Sequence, residues 1–79
     1  MENRPIFEIA REIKKLWVPV SPYALPYLNA MLELNSIDDR YICDSGKSVV
    51  LYFLANAGSW RGEDARRIKA ELKQMCNLK

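Results

Sequence analysis

Seventy-nine residues, 49% hydrophobic and 28% charged, make one small globular domain (1–79), too short for two cores and too apolar for a disordered chain. The net charge of +2 is too weak to imply nucleic-acid binding unless the cations cluster on one face. Histidine is absent, which removes Ser-His and Cys-His nucleophilic pairs, histidine-based zinc sites and the commonest general acid/base, so neither an enzyme nor a cofactor is expected.

The first ten residues, "MENRPIFEIA", mix charges with apolar side chains and lack a signal-type core, and the longest apolar run, Val49 to Ala55, is far below the roughly 20 residues that span a bilayer. A cytoplasmic protein with no membrane partner is expected. Ile6, Ile9, Ala10, Ile13, Leu16 and Trp17 recur at helical spacing, with Glu8, Arg11, Glu12, Lys14 and Lys15 on the other face, which predicts an amphipathic first helix over residues 5 to 17. Pro5 fits its first turn, and acids precede bases as the helix dipole prefers.

The two prolines of "VPVSP" bias Val18 and Ser21 towards extended geometry and make this stretch a connector. A second helix then uses Ala24, Tyr27, Leu28, Met31 and Leu34; it starts near Ala24 or Leu25, because Pro26 is tolerated only in a first turn. "NSIDDRY" groups Ser36, Asp38 and Asp39 around Ile37, the pattern of a capped short turn or single-turn helix rather than a strand, with Tyr41 and Ile42 expected to pin it to the core.

"DSGKS" at residues 44 to 48 raises the possibility of a phosphate loop, but such a loop needs an earlier glycine, where Tyr41 stands, and a preceding strand in a parallel sheet. The stretch reads better as a helix start, with Asp44 or Ser45 as cap and Gly46 admitting close packing. Asp38, Asp39 and Asp44 lack the ligand spacing of a calcium loop. The third helix, about Ser45 to Ala57, is apolar on nearly all sides and is expected at the centre; a short buried strand at "VVLYFL" is the competing reading.

Gly58 is expected as a left-handed stop, and Ser59 as the cap of a last helix from about Trp60 to Asn77, with Ala65, Ile68, Leu72, Met75 and Cys76 inward and Glu63 paired with Arg67. The fold class is therefore all-α: a bundle of about four short helices around a buried third. Cys43 and Cys76 are too few for a disulfide framework and are expected as free, buried thiols.

Every acidic residue falls on a polar helix face or in a turn, so no catalytic pair can be nominated. Arg61, Arg66, Arg67, Lys69, Lys73 and Lys79 concentrate in the last helix, where Arg66, Lys69 and Lys73 share a side and could meet phosphates, in an arrangement similar to a helix-turn-helix. The plainer alternative is a solvated face whose charge Glu63, Asp64 and Glu71 reduce. Trp60 beside Arg61, with Trp17 or Tyr23, has interface composition, although tryptophans closing the ends of the core would look the same. The candidate partner-binding residues are thus Tyr23, Trp60, Arg61, Arg66, Arg67, Lys69 and Lys73.

The run "SIDDRYICDSGKSVVLYFLANAGSWRGEDARRIKAELK", with "PYLNAM" before it and "IAREIKKLW" at the start, resembles small accessory proteins of bacteriophages, prophages and other mobile elements. That family has no established common activity and transfers no functional residue to this chain. The resemblance implies stoichiometric binding to a host protein or ribonucleoprotein, such as a CRISPR-type defence complex, in the host cytoplasm. A nucleic-acid-binding regulator is the alternative, and homodimerisation through apolar surface is a further expectation.

Overall fold

Pro5, at φ −58°, leads into α1 (Ile6–Leu16) in a computed structural model that describes residues 4–41 and 44–76. Two of the free N–H groups at the start of α1 do not need a side-chain cap: Ile6 donates to the carbonyl of Asn35 (2.9 Å) and Phe7 to that of Leu34 (2.9 Å). The chain leaving the second helix therefore closes the first. α2 (Leu25–Met31) carries Pro26 in its first turn, as expected, and is shorter than the sequence suggests. Its apolar spacing continues to Leu34 through a tight turn in which Leu34 N–H donates to Met31 O.

Asp39 builds the next turn. Its carboxylate accepts from the backbone N–H groups of Asn35 (2.8 Å) and Ser36 (3.2 Å), and these bonds hold it below its ordinary pKa. The expected capped turn is present, but the reading of "NSIDDRY" as no strand is corrected at its last two residues: β1 (Arg40–Tyr41) pairs antiparallel with β2 (Asp44–Ser45) in the register Arg40 to Ser45 and Tyr41 to Asp44. Two-residue strands leave no alternation to detect in sequence. The anchoring proposed for Tyr41 and Ile42 lies outside the described side chains, and Cys43 outside the described residues. Cys76 is buried and free, and its burial pushes the thiol up from the usual range.

α3 (Gly46–Ala55) is a helix, not the alternative strand. Ser45 is its cap, its hydroxyl accepting from Ser48 N–H at 3.2 Å, an arrangement worth about 1 kcal/mol. Gly46 is required by space: a Cβ there would stand 2.6 Å from the Ser36 carbonyl oxygen. α3 buries Gly46, Val49, Val50 and Phe53 and packs chiefly on α2, while Tyr52 on its other side is 52% exposed, so apolar character all round does not mean burial all round.

Two expectations about the next segment are corrected. Gly58 has no positive φ and is not a left-handed stop; Gly62, at φ 113°, is the glycine that needs its freedom. Nor does Ser59 cap the last helix: α4 (Glu63–Met75) starts later, with Gly62 at the cap position and no side-chain cap bond. Trp60 is the reason. Its ring is buried at 5% exposure and stacks on Trp17, with centroids 5.4 Å apart and planes 8° apart. Trp17 in turn meets Phe53 edge-on at 6.2 Å. Drawing Trp60 into the core keeps the chain from Asn56 to Gly62 in turns.

The result is a four-helix, all-α bundle with one core. Ile6, Ile9 and Ile13 of α1, Leu28 and Met31 of α2, Phe53 of α3, and Ile68 and Leu72 of α4 are fully buried there, each worth about 1.5–3 kcal/mol relative to exposure. Among the described residues no helix is long and apolar enough to cross a membrane.

Candidate functional site

At 3.6 residues per turn, α4 sorts its side chains into three strips. Ala65, Ile68, Leu72 and Met75 face the core. Asp64, Arg67 and Glu71 form one flank, and Arg66, Lys69 and Lys73 the other.

The first flank closes the bundle. Arg4 forks onto Glu71, with Nε 3.0 Å from Oε2 and Nη2 2.8 Å from Oε1, a bidentate geometry that fixes direction as well as charge. Its Nη1 also lies 2.8 Å from Glu12 Oε1, an ionic contact whose N–H is poorly aligned for a hydrogen bond. Arg67 Nη2 completes the cluster, donating to Glu12 Oε2 at 2.9 Å and, more weakly, to Asp64 Oδ1 at 3.4 Å. Arg67 therefore pairs with α1 and with Asp64, not with Glu63 as the local spacing suggests. The Arg67 hydrogen bond first, and then the Arg4 ionic contact, hold the Glu12 carboxyl below its ordinary pKa, and Glu12 raises Arg67. Arg67 is thereby tied into the fold.

The second flank is different. Among the described residues, Arg61, Arg66, Lys69 and Lys73 make no ion pair. Arg61, Arg66 and Lys69 line a shallow depression of about 290 Å³ together with Trp60, Gly62 and Ala65. Lys69 is half-buried, and its ammonium is held in place by donating to the Trp60 carbonyl at 2.6 Å. Burial, then the neighbouring charges of Lys73 and Arg61, lower its pKa; with Arg66 in the same depression, four cations lie on this side of the molecule. Asp64 and Glu71, which the sequence sets against this charge, are engaged across the helix with Arg67 and Arg4. Glu63 borders a neighbouring depression beside Arg66.

Of the seven nominated residues, the structure brings four, Trp60, Arg61, Arg66 and Lys69, to one depression, with Lys73 within electrostatic reach of Lys69. Trp60 serves there as a wall and as the carbonyl that orients Lys69, because its ring is buried against Trp17. Tyr23 is 77% exposed in the turn before α2 and does not line the depression. A second surface escaped sequence reasoning: Tyr27 stacks on Tyr52 at 5.5 Å, beside a groove lined by Pro26, Ala30, Asp44 and Val49. Its only sequence signal is a tyrosine in each of two apolar helices, which core packing also explains.

Two chemistries meet obstacles. In "DSGKS" the N–H groups of Gly46, Lys47 and Ser48 donate to Asp39 O (2.6 Å), Ile37 O (3.0 Å) and Ser45 Oγ (3.2 Å), so none is left to cradle a phosphate. The likeness to a helix-turn-helix is also corrected. The connector from Asn56 to Gly62 exceeds the three-to-four-residue turn of that motif, and α3 packs chiefly on α2 rather than on α4. Among the described residues no cluster of three acidic or cysteine side chains could hold a metal. What the second flank can do is attract and hold anions. Comparison with known protein families, curated proteins and solved structures finds no match for this chain.

Proposed function

We propose that this protein acts without catalysis, by stoichiometric binding to a host protein or ribonucleoprotein, with the Arg61–Arg66–Lys69–Lys73 edge of α4 as its contact face. The observation that carries the reading is the division of charge on α4: Asp64 and Glu71 are drawn to one flank by Arg67 and Arg4, and the four cations opposite make no ion pair among the described residues, although Glu63 stands near Arg66. Unneutralised like charges on one side of a +2 domain repel one another, a cost that a complementary anionic partner relieves. The residue runs resembling phage proteins support a bacterial host as the setting and a defence complex of the CRISPR type, which carries RNA, as the target.

A nucleic-acid-binding regulator is the second reading, favoured by the same cations. Without helix-turn-helix packing it would hold the backbone rather than read bases in the major groove. Affinity capture from a bacterial host tests the first reading. The native protein is expected to recover one partner at fixed stoichiometry, and R61E/R66E/K73E to lose it while keeping its helical circular dichroism. Equal capture by that variant, or recovery of no partner, would sink the proposal.

A further inference from the structure

The depression at the start of α4 has the chemistry of a phosphate seat. Two guanidinium groups, Arg61 and Arg66, and one ammonium, Lys69, border a space of about 290 Å³, ample for a phosphate and its first waters. The Lys69 ammonium has three N–H donors and spends one on the Trp60 carbonyl. Two remain, on a group whose position is already fixed. That fixing lowers the entropy lost on binding, which is the usual cost of using a flexible lysine. The backbone adds to the field: the N–H groups of Glu63, Asp64 and Ala65 in the first turn of α4 have no acceptor among the described residues, so the positive end of the helix dipole lies at this end of α4, offset in part by the exposed carboxylates of Glu63 and Asp64 in the same turn. Gly62 keeps this rim free of a side chain at a φ of 113°, a backbone angle that other residues rarely adopt.

Lys73 extends the seat into a track. It lies one helical turn beyond Lys69, about 6 Å along the axis, roughly the step between neighbouring phosphates of one nucleic-acid strand. A lone phosphorylated side chain would use the depression and leave Lys73 idle. We infer that the Arg61–Arg66–Lys69 depression, continued by Lys73, is a binding site for the phosphodiester backbone of a single nucleic-acid strand. The inference rests on the proposed binding function and gives its contact face a ligand chemistry: the strand would be the RNA of a ribonucleoprotein partner. Trp60 has one ring face against Trp17 and is 5% exposed, so no base stacks on it and binding is indifferent to sequence.

The test is fluorescence anisotropy of a labelled, mixed-sequence single-stranded RNA with the full chain. Four phosphate contacts predict a log–log salt slope of about −3 between 50 and 200 mM salt. R61Q/R66Q is expected to weaken binding about tenfold at 50 mM, whereas K14Q/K15Q, an equal charge loss at the exposed end of α1, changes it less than about twofold. K73Q alone should cost about threefold. Circular dichroism of each variant confirms the fold, and Arg61, Arg66 and Lys73 are exposed, so the substitutions spare the core. Equal losses from the two double variants, absence of binding at 50 mM salt, or tighter binding of a phosphoserine peptide than of the RNA would each overturn the inference. Should RNA binding fail while partner capture still depends on these arginines, this inference falls and the proposed function stands. RNA binding through these arginines, with capture indifferent to them, reverses that outcome.

Discussion

Gly46 and Gly58 look alike in sequence, each beside a helix end, yet their surroundings demand opposite outcomes from one substitution. A methyl group at Gly46 would press 2.6 Å from the backbone oxygen of Ser36, and a backbone atom in a hydrogen-bonded turn cannot yield as a side chain can. Gly46→Ala should therefore destabilise the fold by about 2 kcal/mol or more. At Gly58 a Cβ meets nothing within 4 Å, and φ is not positive; Gly58→Ala should be neutral or stabilising by up to about 1 kcal/mol, through the lost freedom of the unfolded chain. Urea denaturation of the two variants checks both. Equal destabilisation would mean that the close approach of Gly46 to the Ser36 turn is not what selects glycine there. Gly46 was legible as a close-packing residue from "DSGKS", because a glycine just after a capping serine has few other uses. No glycine stops α3 in a left-handed conformation, and positive φ falls instead at Gly62 before α4, since helix-stop rules do not foresee a tryptophan pulled into the core two residues downstream of Gly58.

Among the elements, α1 and α4 are joined by the core and by the Arg4–Glu12–Arg67–Glu71 cluster. Glu12 is the carboxylate shared by both arginines, and its pKa is lower in the folded chain than its ordinary value of 4.5. A carboxyl depressed on folding stabilises the protein fully above its unfolded pKa and loses that contribution as pH falls through the lower, folded value. Thermal stability should accordingly decline as pH drops below about 4.5. Glu12→Gln should be less stable than the native chain at neutral pH and should approach it in acid. Parallel melting-temperature profiles for the two proteins would refute the coupling. Asp39 is depressed as well and contributes to the same acid limb, so the Gln variant flattens that limb without abolishing it. The helices themselves were readable from apolar spacing, strongest for α1, where Ile6, Ile9, Ala10 and Ile13 are all fully buried. The Arg67 partnership was not, because local spacing offers only Glu63, Asp64 or Glu71, whereas Glu12 is brought close by the fold.

Across the whole molecule, the rotation of α4 against the core divides residues that composition and spacing group as one contact set. Arg67 carries the same charge as Arg66, but one residue turns it by about 100°, from the open edge into the α1 cluster. Trp60 has interface composition, yet its burial makes it a scaffold for Lys69. Neither distinction exists until α4 has a fixed rotation against the core. The aromatic groove at Tyr27 and Tyr52 is the rival contact face, and it differs from the α4 edge in position and chemistry, being apolar with a single carboxylate, Asp44, among its lining residues. The two faces are therefore told apart by amide-shift mapping of the isotopically labelled chain during titration with its captured host partner. Perturbations are expected to concentrate on Arg61, Gly62, Arg66, Lys69 and Lys73. Perturbations centred instead on Tyr23, Tyr27 and Tyr52, with that edge of α4 unchanged, would contradict the proposed contact face.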